Sequence, residues 1–326
     1  MSPLSSRTHP RSHAAFAQEV RTVRTHIASL MDSPPNGSRR HFVLRSACTL
    51  VLAVAQVRQS AQSDMRFPQF DDIEAKLGGR LGVAALDTRN GARLSHRSDE
   101  RFAMCSTFKW MLAAAVLAQH DRGGGILERH LSYGPKDLLP NSPVTKQHVA
   151  EGSLTITELC KAAVETSDNT AANALLKFIG GPSALTRYLQ TIGDHTTRLD
   201  RVELALNTNI SGDPRDTTTP NAMIATMQRM LVGDELAGAS RDLLLSWMKN
   251  CQTGLHRLRA GLPPAWTAGD KTGTGDNGAV NDNAIIWPTQ RPPILVAAYL
   301  SGSHASPEAL DAAHARIGTL VAKAFA

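Results

Sequence analysis

The run STFKWMLAAAVLAQ, Ser106 to Gln119, is apolar on nearly every side once its first four residues are passed. A helix with no polar face has nothing to offer water, so it must lie inside a larger body with other elements packed round it. Gly123, Gly124 and Gly125 follow it and suit a helix end. What surrounds the helix is readable on both sides. Upstream, residues 66–76 suit a helix and Leu81 to Leu86 reads as a strand. Asn90-Gly91 is a hairpin turn leading into Ala92 to His96. Downstream, helical patterns occupy 155–165, 170–179, 182–192, 220–232 and 239–249. Strand signals return at 266–269, 283–287 and 294–300, before a last helix over 307–325. Strands near both ends therefore bracket a helical middle. The expected fold class is α/β in the broad, α+β sense: one sheet assembled from the two ends, with an all-helical domain inserted. The boundaries expected are 66–104 with 250–326 for the sheet domain and 105–249 for the helical one.

Composition narrows the function. The chain has 326 residues, 42% hydrophobic and 20% charged, which suits a globular fold with a sizeable core. Its net charge is +6, but the basic residues are scattered and no nucleic-acid-binding signature is present, so attraction of anionic small molecules is the better reading. The four cysteines, Cys48, Cys105, Cys160 and Cys251, form no C-x-x-C pair. The twelve histidines include no H-x-H and no H-E-x-x-H. No metal and no cofactor is expected.

Residues 1–55 read as an extension ending in an export signal. Ser38-Arg39-Arg40-His41-Phe42-Val43-Leu44 precedes an apolar stretch around Thr49 to Ala55. Paired arginines, an aromatic and a modest apolar run resemble a twin-arginine signal, with Ala53-Val54-Ala55 suited to a signal peptidase. The apolar run falls short of the roughly 20 residues a membrane span needs. Export to the periplasm with no stable membrane anchor is the expectation. Met31 stands just ahead as an alternative start, and Cys48 precedes the apolar run, which argues against a lipid anchor.

Three short stretches carry chemistry. Ser106 and Lys109 stand three apart at the start of the buried helix and so share a face. A serine needs a base to become a nucleophile, and a desolvated lysine supplies one or assists another. The helix N-terminus adds N–H groups for a developing oxyanion. Ser167-Asp168-Asn169 offers a second hydroxyl as proton relay and an amide to hold a carbonyl. Lys271-Thr272-Gly273, with Thr274 and Gly275, offers a cation for a carboxylate, and a glycine that lets an extended substrate approach the strand.

In this order and at these separations the three stretches resemble the class A serine β-lactamases, within the larger group that includes penicillin-binding proteins. The resemblance runs from about Arg66 to the C-terminus. Its deciding piece is Glu203-Leu204-Ala205-Leu206-Asn207, in a loop whose base would be pinned by Arg201 and Asp216. Penicillin-binding proteins lack that element. The resemblance implies a β-lactamase/transpeptidase-like fold, with an antiparallel sheet. It implies that Ser106 attacks the lactam carbonyl, with Lys109, or Glu203 through a water, taking its proton. The oxyanion would lie between the N–H groups of Ser106 and Thr274. Ser167 would protonate the lactam nitrogen, and Asn169 would hold the acyl amide. Lys271, Thr272, Gly273 and Thr274 would bind the carboxylate, with Arg257 as a supporting cation. Glu203 and Asn207 would position the deacylating water. The implied partners are small-molecule β-lactams, penicillins and, from Thr274-Gly275-Asp276, cephalosporins; the family default is a monomer.

Two departures stand out. Asn141 occupies a place where the family usually carries a cleft-flanking aromatic. Cys105 and Cys160 both lack the partner cysteine found in relatives, since Gly275 and Ala113 stand there, so Cys105, Cys160 and Cys251 are expected as free thiols. The alternatives to weigh are a D-alanyl-D-alanine carboxypeptidase or other penicillin-binding protein, and a β-lactam sensor without turnover.

Overall fold

The computed structural model describes residues 67–326, so the extension, the export signal, Met31 and Cys48 lie outside the described residues. The described chain starts with α1 (Pro68–Leu77), β1 (Arg80–Asp87) and β2 (Arg93–His96). Between the two strands Gly91 takes φ +77 and donates to the Asp87 carbonyl at 2.8 Å, closing the expected turn. The buried helix follows as α2 (Phe108–Gln119). The glycines do not stop it at once. The chain winds one wider turn, His120–Gly124, before Gly125 at φ +52 ends it. The helical middle continues as α3 (Ile156–Glu165), α4 (Asn169–Ile179), α5 (Pro182–Thr191), α6 (Pro220–Met227) and α7 (Gly238–Lys249). Three strands, β3 (Thr267–Thr274), β4 (Val280–Trp287) and β5 (Ile294–Ser301), then lead to α8 (Pro307–Phe325).

The five strands form one antiparallel sheet in the order β2-β1-β5-β4-β3. The N-terminal strand lies next to the last, so the sheet is assembled from both ends of the described chain. β3 is longer than expected. The sequence pattern ended it at Gly269, because Asp270, Lys271 and Thr272 read as polar. Instead pairing with β4 runs on through Thr274↔Val280, and all three residues are buried within the ladder.

Two cores flank the sheet. One face packs Val83, Ala85, Ile286, Val296 and Ala298 against Phe70 of α1 and Ile317 and Val321 of α8. The other packs Ala84, Leu86, Ile285 and Tyr299 against the helical middle, with Trp110, Met111 and Leu112 of α2 at its centre. Every residue of α2 except Gln119 is buried, as its composition demands. Outside the main sheet, Phe102–Ala103 pairs with Thr217–Thr218, a short ladder the sequence did not signal. Among the described residues no helix is long and apolar enough to cross a membrane.

Candidate active site

The N-terminal end of α2 meets the end of β3, and most of the chemistry-bearing residues converge there. Cys105–Thr107 forms a tight turn that delivers Ser106 to the helix start. Cys105 sits at φ +46, a left-handed conformation uncommon for a residue with a side chain. Asn281 of β4 braces this turn by donating through Nδ2 to the carbonyls of Ala103 (2.9 Å) and Met104 (3.1 Å). Gly273 is required for the same reason. A Cβ there would lie 2.6 Å from the Met104 carbonyl oxygen, so the glycine lets β3 run against the nucleophile turn.

Lys109 has no exposure and reaches four acceptors. Its Nζ is 2.9 Å from Glu203 Oε1, 2.8 Å from the Ser167 carbonyl, 2.5 Å from Asn169 Oδ1 and 3.4 Å from Ser167 Oγ. Burial pulls the Lys109 ammonium below its ordinary pKa, and the Glu203 carboxylate pulls it back. An ammonium this deep costs several kcal/mol unless paired, and Glu203, itself 4% exposed, is that partner. Ser106 Oγ donates to the same Glu203 Oε1 at 3.2 Å, while Asn207 Nδ2 donates to Oε2 at 2.6 Å. One carboxylate thus collects the serine, the lysine and the asparagine.

The loop that carries Glu203 is fastened at both ends of its task. At its base, Arg201 Nε donates to Asp216 Oδ2 at 2.5 Å, and Asp216 Oδ1 accepts the backbone N–H groups of Asp200 (2.7 Å) and Arg201 (2.9 Å). At its working point, Asn173 of α4 accepts the Glu203 N–H at 3.0 Å and donates to the Glu203 carbonyl at 2.9 Å. The sequence reading anticipated the base but missed Asn173. Its only signal was an amide four residues after Asn169 on an otherwise apolar helix.

Ser167, at φ +58, hangs between two ammonium groups, its Oγ 3.0 Å from Lys271 Nζ. Asp168 caps α4 through the Ala171 N–H at 2.9 Å and accepts the N–H groups of Val144 and Thr145, both at 3.0 Å. This ties the Ser167-Asp168-Asn169 turn to the segment after Asn141. Asn169 is largely committed, since its Nδ2 donates to the Pro140 carbonyl at 2.8 Å while Oδ1 takes Lys109. Asn141 is exposed and donates to the Ser167 carbonyl at 3.2 Å, so an amide rather than a ring stands at that position.

On the sheet side, Lys271 is fully buried and desolvation pulls its pKa down to about 8. Thr274 is exposed at the cleft. Arg257 lies behind it rather than in the open. Nη2 donates to Thr274 Oγ1 at 2.8 Å, Nη1 to the carbonyls of Gly273 (3.0 Å) and Asn281 (2.8 Å), and Nε to Asp311 at 2.8 Å. Cys105, Cys160 and Cys251 are buried free thiols, as expected, and burial pushes the Cys105 thiol up to about 12. Among the described residues no group of histidine, cysteine or carboxylate side chains is arranged to hold a metal ion.

Such an arrangement can activate a serine, shuttle its proton to a leaving nitrogen, and hold a carboxylate beside it. Comparison with known proteins agrees. The model of the β-lactamase enzyme family matches residues 67–325. The carbapenem-hydrolysing β-lactamase KPC of Klebsiella oxytoca is 44% identical over 282 residues, covering 85% of this chain and 95% of that one. β-Lactamase Toho-1 of Escherichia coli is 43% identical, covering 81% of this chain and 90% of its own. Among solved structures, a class A β-lactamase described as the last common ancestor of Gram-negative bacteria superposes with a TM-score of 0.78 at 56% identity, covering 79% of this chain and 98% of that one.

Proposed function

The chain belongs to the class A serine β-lactamases, and from that premise we propose that it opens the lactam ring of penicillins and cephalosporins through an ester on Ser106. Hydrolysis of β-lactams by way of a serine acyl-enzyme is the activity of this family, and it confers resistance to these antibiotics. The observation that carries the assignment of roles is the sharing of Glu203 Oε1 by Ser106 Oγ at 3.2 Å and Lys109 Nζ at 2.9 Å.

In the free enzyme the Ser106 hydroxyl already donates to Glu203 Oε1 at 3.2 Å, so Glu203 is the better placed acceptor for its proton. Ser106 Oγ attacks the lactam carbonyl carbon, and the N–H groups of Ser106 and Thr274 hold the oxyanion. Collapse breaks the C–N bond. The nitrogen takes a proton from Ser167, which is resupplied through Lys109, and Glu203 returns the serine proton to Lys109 across their 2.9 Å contact. Lys271, Thr272 and Thr274 hold the substrate carboxylate beside Gly273, Arg257 steadies Thr274 from behind, and Asn169 meets the acyl side chain. Glu203 and Asn207 then position a water. It attacks the ester carbonyl, and Glu203 takes its proton and passes one to Ser106 Oγ as the ester bond breaks.

The same reading covers the remaining expectations. The enzyme works as a monomer in the periplasm after twin-arginine export, with no membrane anchor. The two cores on either side of the sheet support a division into a sheet domain, 66–104 with 250–326, and a helical domain, 105–249.

The test is direct. Purified protein and a Ser106→Ala variant are mixed with a penicillin and with a chromogenic cephalosporin. Many turnovers by the wild type and none by the variant are expected. A single stoichiometric opening with a persistent adduct would instead place the chain with penicillin-binding proteins or sensors.

A further inference from the structure

We infer that Thr253, with Cys251 behind it, is a positioning residue that turns the Thr272 hydroxyl into the cleft as a donor to the substrate carboxylate. The inference rests on the reading of Thr272 as a carboxylate-binding residue.

The argument is one of proton direction. Thr253 Oγ1 and Thr272 Oγ1 are 2.5 Å apart, a contact that holds one proton between two hydroxyls. If Thr272 is the donor there, nothing remains for a substrate. If Thr253 donates, the Thr272 proton is free to point into the cleft. Two features decide between these states. Thr272 is 5% exposed, whereas Thr253 is an exposed rim residue with a second neighbour, Cys251 Sγ, at 3.3 Å. Cys251 is 2% exposed, and burial together with the Asp270 carboxylate keeps its thiol protonated, so it has a proton to give. A thiol donating to Thr253 Oγ1 leaves the Thr253 O–H to donate to Thr272.

The rival acceptor for the Cys251 proton is Asp270. Its Oδ2 already takes Arg259 Nε at 2.7 Å, and its Oδ1 has no hydrogen-bond partner. Asp282, fully buried, lies on the same face of the sheet, since it pairs with Thr272 across the ladder and Asp270 is two residues before Thr272. Its Oδ1 is likewise without a partner, and burial beside Asp270 pushes this carboxyl well above the usual carboxylate range, against the opposing pull of Arg257 and Arg259. The hydrogen-bond partner of the thiol is Thr253 Oγ1 at 3.3 Å, while Asp270 Oδ1 stays without one. Three protons then point one way, from Cys251, Thr253 and Thr272 in turn, ending at the cleft.

Steady-state kinetics with a penicillin test this on four variants. Thr272→Val is read first, and a raised KM there supports the premise. Thr253→Val, an isosteric change on the surface, is then expected to raise KM roughly threefold to tenfold, with kcat within about twofold of wild type. Cys251→Ala is expected to act in the same direction, and Cys251→Ser, which keeps a donor, to recover most of the loss. A KM unchanged in Thr253→Val while raised in Thr272→Val would overturn the inference alone. So would a Cys251→Ser no better than Cys251→Ala, or a loss confined to kcat. A KM unchanged in Thr272→Val would remove the premise, and the inference with it.

Discussion

The two walls of the cleft are built from opposite kinds of polar contact. On the helical wall every charge is matched. Lys109 meets Glu203 at 2.9 Å, and the remaining groups are tied by hydrogen bonds within the same cluster. On the sheet wall Lys271 has no carboxylate partner. Among the described residues its hydrogen-bond acceptors are the Ser167 hydroxyl and the Thr272 carbonyl, and nearby Arg257 spends its charge on Asp311 and on backbone oxygens. The helical wall can thus pass protons among its own members without a net change of charge. The sheet wall is a buried positive site still short of an anion. The difference separates chemistry from binding: one wall moves protons, the other waits for a carboxylate.

That division can be broken by removing the cation from each wall in turn. Lys109→Ala leaves Glu203 buried without its partner and interrupts the route to Ser167. Penicillin turnover is expected to fall by about a thousandfold or more, mostly in kcat, as followed by lactam absorbance. Lys271→Ala removes the anion's partner together with one contact to the Ser167 hydroxyl. It should cost about a hundredfold in kcat/KM, with KM carrying most of the loss, and a split the other way round would dissolve the distinction between the walls.

Acidity sharpens the same contrast. Lys271 titrates near pH 8, so its charge is present below that pH and lost above it. The attraction for a substrate carboxylate must therefore weaken as pH rises, with KM climbing by up to about tenfold from pH 7 to pH 9. In Lys271→Arg, which stays charged, that limb should vanish from the KM profile. The smallest effect concerns the edge of the helical wall. Asn141→Tyr would place a ring beside the cleft where an exposed amide now stands. A fall in KM of about twofold to threefold, without change in kcat, is expected from competition kinetics between two penicillins.

Much of this was legible beforehand, and the reasons differ by element. α8 was found to the residue, because Ser306 caps it through the Ala309 N–H and Pro307 stands at its first position. α2 was found because a helix without a polar face has one place to go. β3 was cut short because its apolar signal ends at Gly269, yet strand pairing and buried partners hold Asp270, Lys271 and Thr272 inside. The nucleophile, the relay and Glu203 were legible as motifs. Asn173, Asn281 and Thr253 were not. Each is a single polar residue whose partner lies 30, 177 or 19 positions away, a proximity that only the folded chain creates. Arg257 was legible as a nearby cation, but not as one whose donors are already spent on β3 and β4.

The central claim is that one carboxylate, Glu203, separates turnover from mere acylation. Intact mass and lactam absorbance, followed together on Glu203→Ala and wild type mixed with a penicillin, test it most directly. The account predicts rapid loss of lactam with no lasting adduct on the wild type, and on the variant a slow stoichiometric opening that leaves one penicillin-sized increment on Ser106. A Glu203→Ala protein that turns over at the wild-type rate, or a wild type that accumulates the same stable increment, would contradict it.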